Sequence, residues 1–233
     1  MSLSEAEVKE KMGIDTFSQI SQLKKYHLSY NEKYRLFLIK ENSHWKNNSR
    51  IENGFAAYLK PAIGRNKYKK QRKPSKDGYQ QGHIFGVELI QHISKLKTPE
   101  FENFKGKDKL PNNFLENRLV KTYNAGFKNI FRQTEQANGY GKKKSSKEYI
   151  GQAKFEQQVN NFLKHNESTN SNIQVYYEAE AIYNDSEISV IGTRLYARVV
   201  GDEKHPLNKI VDSKKKEAKP YIPFHVFIPN VEE

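Results

Sequence analysis

Apolar and aromatic positions gather towards the C-terminal end of this chain and thin out in its middle. Three late stretches, "IQVYYEAEAIY" (173–183), "ISVIGTRLYARVV" (188–200) and "YIPFHVFIPN" (221–230), are dense in β-branched and aromatic residues and are predicted strands. Asn184 and Asp185 supply a turn between the first two, and a Lys-rich loop (214–219) leads to the third, so an antiparallel sheet is expected. The clearest helix precedes them. Ser145 with Glu148 three residues later forms a capping-box pattern, and Phe155, Val159, Phe162 and Leu163 line one face up to about His165.

The N-terminal half is less regular. "SEAEVKEK" is charged and helix-forming, "DTFSQISQLKKY" offers Asp15 as a cap with Phe17, Ile20 and Leu23 on one face, and "KYRLFLIK" (33–40) reads as a strand. Residues 41–54 are polar and read as loop, as does "GRNKYKKQRKPSKDG" with Gly at both ends and Pro74 inside. "GVELIQHISKLK" has Leu89, Ile93 and Leu96 at helical spacing, and the polar stretch after it, about 98–128 with Pro99 and Pro111, reads as an inserted segment. "NIFRQTEQAN" is predicted helical, ending at "GYG" (139–141), and "KKKSSK" follows as a loop. Helices mixed with antiparallel strands give an α+β class. The expected organisation is a single domain over 1–233, with a helical and strand part up to about 50 and no internal repeat.

Charge changes this picture from a fold to a surface. The chain of 233 residues carries a formal charge of +13, and seven basic residues with no acidic one lie between Arg65 and Lys76. Such clustering is the footprint of a polyanion partner, and the absence of an amphipathic basic helix favours nucleic acid over a membrane surface. With no cysteine, disulfides, thiolate nucleophiles and Cys-type zinc sites are excluded. No apolar stretch reaches the length needed to span a bilayer, and "MSLSEAEVKEKMG" lacks the apolar core of a signal peptide. The expected location is outside the cell with the leader absent from this sequence, a cytoplasmic one being the alternative.

Several chemistries fall away by spacing. Of the seven histidines, at 27, 44, 83, 92, 165, 205 and 225, no two stand four apart on a helix, and no Glu joins two of them at ligand spacing. "GYGKKKSS" fails as a phosphate-binding loop because Gln136 stands where the first glycine is needed, and there is no Gly-x-Ser-x-Gly elbow. What remains suits phosphodiester hydrolysis. That reaction needs a base for water, a cation for the developing charge and positive surface for the backbone. Neutral imidazole serves as the base at neutral pH, and magnesium is held by few oxygen ligands.

"QGHIFG", then "NIFRQTEQAN", then "GQAKFEQQV" resembles, in order and internal spacing, the DNA/RNA non-specific endonucleases of the ββα-metal superfamily, in particular streptococcal-type extracellular DNases and DNA-entry nucleases. That branch carries Asp-Arg-Gly-His, then Asn-x-x-x-Gln-Thr closing in Ala-Asn, then Gly-Gln-x-x-Tyr/Phe-Glu. Gly82 and His83 match the first block; Asn129, Gln133, Thr134, Ala137 and Asn138 the second; Gly151, Gln152, Phe155 and Glu156 the third. The likeness covers roughly residues 50–230. It implies a ββα-metal fold, a central antiparallel sheet flanked by helices, and Mg²⁺-dependent, sequence-nonspecific cleavage of DNA, with RNA as a second substrate, to 5′-phosphate products. Mn²⁺ is the alternative ion. His83 would be the general base and Asn138 the direct metal ligand. Glu156 would hold the ion's waters or act as an added ligand, and Asn129 and Gln133 would orient the loop. Read alone, Asn138 also suits a helix C-cap before Gly139.

Where the family pattern has Asp-Arg, this chain has Gln80 and Gln81, so the missing positive charge must come from elsewhere, with Arg72 and Arg132 as candidates. Lys69, Lys70, Arg72, Lys73 and Arg132 are the expected nucleic-acid contacts, grasping phosphates without reading sequence. Two other readings fit the same chain: a site-specific restriction-type nuclease on this scaffold, and a nucleic-acid-binding protein without catalysis.

Overall fold

The computed structural model describes residues 4–11, 27–31, 35–40, 54–61, 79–96, 130–139, 151–166, 173–184, 190–200 and 222–231. In chain order the elements are α1 (Glu5–Lys11), β1 (His27–Asn31), β2 (Leu36–Lys40), β3 (Gly54–Leu59), β4 (Tyr79–His83), α2 (Val87–Ile90), β5 (Ile93–Leu96), β6 (Ile130–Thr134), α3 (Glu135–Asn138), α4 (Gly151–His165), β7 (Gln174–Tyr183), β8 (Val190–Val200) and β9 (Phe224–Pro229). The class is α+β. One antiparallel sheet runs in the order β1-β2-β9-β8-β7-β3-β5, and β4 and β6 form a separate two-stranded antiparallel ribbon.

The three C-terminal strands lie side by side as predicted, with β8 between β7 and β9. Alternation along β7 and β8 decides the two faces of the sheet. Val175, Tyr177, Ala179 and Ala181 of β7 and Leu195, Ala197 and Val199 of β8 share one core with Phe155, Val159 and Leu163 of α4 and with Phe224, Val226 and Ile228 of β9. Val159 and Leu163 are fully buried, and each such side chain contributes about 2 kcal/mol. The helix predicted from its apolar stripe therefore lies on this face, while its proposed capping box at Ser145 and Glu148 is outside the described residues.

The other face is buried too. Val8 of α1 packs with Phe37, Ile39, Ile182, Ile191 and Phe227, and Ala56, Tyr176 and Tyr196 form a smaller cluster. Between them lies a charged group. Arg194, wholly buried, donates to Glu180 Oε2 and Glu178 Oε2, both at 2.7 Å, and its Nη1 lies 3.1 Å from His225 Nε2. The Tyr176 hydroxyl donates to Glu178 Oε1. Among the described residues no helix is long and apolar enough to cross a membrane.

Three predicted elements differ. "NIFRQTEQAN" is not one helix: Ile130–Thr134 is a strand paired to β4, and only Glu135–Asn138 is helical. Thr134 makes the switch, since its extended backbone ends the strand and its Oγ1 accepts from Ala137 N (3.2 Å) as an N-cap. "GVELIQHISKLK" likewise divides into the single turn α2 and the strand β5. Buried His92 fixes that break: Nδ1 lies 3.1 Å from Lys60 O on the β3 side, and Nε2 lies 3.1 Å from the Asn160 carboxamide on α4. Gly54, predicted as the end of a loop, opens strand β3. The predicted helix over 15–26, the basic segment 65–76 and the inserted segment around 98–128 lie outside the described residues.

Candidate active site at the ribbon and helix junction

The three sequence blocks meet at the N-terminus of α4. Gly151, its first residue, has φ +55°, and a Cβ there would stand 2.3 Å from Gln136 O and 2.4 Å from Ala137 O of α3. Only glycine allows both that conformation and that approach. Gly151→Ala is expected to lower stability by about 2–4 kcal/mol, combining left-handed strain with a clash against backbone that cannot step aside. A thermal melt checks it, and an unshifted midpoint would refute the packing described.

Gln152 comes next and is buried. Its Nε2 donates to Ile84 O (3.0 Å), to His83 O and to Glu156 Oε1 (2.7 Å), and its Oε1 accepts from Gln133 Nε2 (3.1 Å). The three acceptors around Nε2 dictate the orientation of the amide, because the reversed group would set its oxygen against two carbonyls and a carboxylate. One side chain thus joins the end of β4, the inner face of β6 and the second turn of α4. Gln133 lies directly over Gly82, where a Cβ would meet Gln133 Oε1 at 1.9 Å. That Oε1 is wholly buried and has no hydrogen-bond partner among the described residues.

Glu156 is half-buried, with its carboxylate lying over Gly86: a Cβ there would be 2.4 Å from Oε2 and 2.6 Å from Oε1. Beneath it the Tyr177 hydroxyl is buried without a hydrogen-bond partner among the described residues. Burial first, and the Glu156 negative charge second, push that hydroxyl well above the ordinary tyrosine range, so it remains a neutral donor.

The ribbon register sorts the remaining residues. Tyr79 pairs with Thr134, Gln80 with Gln133, Gln81 with Arg132, Gly82 with Phe131 and His83 with Ile130. Side chains alternate, so buried Phe131 and Gln133 share the inner face, and half-buried His83 and exposed Arg132 share the outer one. Asn230, just past β9, holds this outer strand. It accepts from Thr134 N (2.7 Å) and donates to Arg132 O (2.9 Å) and Val190 O (3.1 Å), fastening the ribbon to the main sheet.

Asn138 is the last helical residue of α3 and half-buried. Gly139, not Asn138, closes the helix in the left-handed conformation (φ 89°), with its N–H donating to Glu135 O at 3.0 Å. Arg35, itself left-handed (φ 51°), donates from Nη1 to Gln136 Oε1 at 3.0 Å, bringing a cation to α3.

Of the residues singled out from sequence, His83, Arg132, Gln133, Asn138 and Glu156 lie on these four adjoining elements; Asn129, Lys69, Lys70, Arg72 and Lys73 are outside the described residues. Sequence reasoning missed the linking role of Gln152, the clasp of Asn230 and the approach of Arg35. Only Gln152 carried a signal, its place in the third block. Among the described residues no three His, Asp or Glu side chains gather as a chelating group. No family model matches this chain, and neither a curated protein nor a solved structure does.

Proposed function

We propose that this protein is a Mg²⁺-dependent, sequence-nonspecific endonuclease with a ββα-metal site. The observation that carries the reading is the β4–β6–α3–α4 succession. It sets His83 at a strand end and Glu156 one helical turn beyond Gln152, the residue that bonds both. Fold alone would not support an activity; the placement of these groups does.

In this reading the half-buried His83 imidazole takes a proton from a water molecule, whose oxygen bonds to phosphorus as the P–O3′ bond breaks. The 3′ oxygen leaves as a hydroxyl after protonation by solvent, and the new terminus is a 5′ phosphate. Gln152 keeps His83 in place through its backbone carbonyl, a bond that does not use the ring. Asn138 Oδ1 and the Glu156 carboxylate would hold the ion, an all-oxygen donor set of the kind Mg²⁺ prefers, and Mn²⁺ would be accepted by the same oxygens. A site that leaves most coordination positions to water needs no three-residue chelating group. When bound, the ion would neutralise charge building on the phosphate and the leaving oxygen. Gln133 supports Gln152 from below. Asn129 keeps its proposed orienting part, and Lys69, Lys70, Arg72 and Lys73 their proposed phosphate contacts along DNA or RNA.

EDTA is expected to abolish degradation of supercoiled plasmid, and excess Mg²⁺ to restore it. A smear of products fits the nonspecific reading, whereas discrete bands would select a restriction-type enzyme. Steeply salt-dependent binding with no cleavage would leave only a binding protein.

A further inference from the structure

We infer that Arg132 is the cation that seats the scissile phosphate in front of His83, an assignment that rests on the nuclease reading of this site. The two ribbon strands, "YQQGH" and "IFRQT", contain one permanent charge, that of Arg132. On its own strand His83 has only the neutral Tyr79, Gln80 and Gln81 beside Gly82. A phosphodiester brought to the outer face of the ribbon therefore meets one ribbon residue able to balance it.

The geometry follows from the register. Arg132 O and Thr134 N are both engaged by Asn230 on the far edge of β6, so position 132 faces position 81 as a non-hydrogen-bonded pair, with Cα atoms about 4.5 Å apart. His83, two residues on, lies diagonally across on the same face at about 7–8 Å. A phosphate seated between guanidinium and imidazole would offer two of its oxygens at once to the planar fork of arginine. Asn230 gives the guanidinium a fixed origin, because its carboxamide holds the backbone on both sides of Gln133. Arg35, the other arginine near the junction among the described residues, donates to Gln136 on α3 and does not belong to the ribbon face.

The experiment compares kcat and KM on a DNA duplex in Mg²⁺ for wild type, Arg132→Gln, Arg132→Lys, the double variant Arg132→Gln with Gln81→Arg, and His83→Ala. Arg132→Gln is expected to lower kcat/KM about 10²-fold at an unchanged thermal midpoint, since the side chain is exposed. Lysine should recover part of the loss. Gln81→Arg should recover most of it, because a guanidinium at 81 starts from the adjacent point on the same face. Wild-type cleavage by Arg132→Gln, in a protein that His83→Ala inactivates, overturns this assignment alone. So does a loss that neither Arg132→Lys nor Gln81→Arg relieves. Cleavage indifferent to His83→Ala overturns the nuclease reading and this assignment together.

Discussion

His83→Ala is expected to lower the turnover number for DNA cleavage by about 10²- to 10⁴-fold, the usual worth of a positioned general base. Stability and nucleic-acid binding should barely change. The reason lies in how the residue is held: Gln152 bonds the His83 backbone carbonyl, which the substitution leaves in place, and the ribbon ladder to Ile130 is also backbone. Truncation therefore removes an imidazole while the backbone bonds that place it persist. Binding should persist because the proposed phosphate contacts reside on other side chains. Single-turnover cleavage with enzyme in excess reads the first effect. Anisotropy of a labelled duplex in EDTA, titrated with salt, reads the second. Undiminished turnover would remove the mechanism, and a parallel loss of binding would make His83 a contact residue instead of a base.

How much of this could be read from the chain varies with the source of each element's stability. β7, β8 and β9 were legible because apolar and aromatic residues crowd them, and α4 because its apolar stripe has one face to cover. β3 was not, since "GFAAYL" has little strand preference of its own and is a strand because β7 and β5 pair with it from both sides. β6 and α3 were merged into one helix. Ile130, Phe131 and Ala137 fit helical spacing, and the residue that marks the change, Thr134, is seen to be an N-cap only in the structure. At the site, the order of three blocks singled out His83, Gln133, Asn138 and Glu156. The bonds that connect them were hidden, because Gln152 reaches a carbonyl 69 residues away and Asn230 an amide 96 residues away. Long-range hydrogen bonds from amide side chains leave no periodicity to read.

The largest expected effect on stability lies on the opposite face of the same strands. Arg194→Met is expected to destabilise the fold by about 3–5 kcal/mol, because it leaves two buried carboxylates without their cation. Glu178 and Glu180 are at most 1% exposed, and each now accepts a 2.7 Å bond from the guanidinium. For a chain of this size such a loss lowers the thermal midpoint by about 10 °C or more. Replacing Glu178 and Glu180 by leucine together with Arg194→Met should recover much of it, since the cost comes from uncompensated charge and not from lost volume. His225 adds a pH dependence. Burial, and then the Arg194 charge, hold its imidazole down at about 2, so it stays neutral in the folded chain. Above the ordinary histidine range neither state binds a proton and nothing is lost. Below it the unfolded chain takes up a proton that the folded chain refuses, and stability falls by up to about 1.4 kcal/mol per pH unit. Urea midpoints at neutral pH and at mildly acidic pH would test both effects; an Arg194→Met chain as stable as wild type would refute the first. Because Val175 and Tyr177 of β7 pack in one core with α4, unfolding this cluster takes the helix carrying Gln152 and Glu156 with it. Arg194→Met should then lose cleavage only as it loses structure, recovering on cooling, whereas His83→Ala loses cleavage while fully folded.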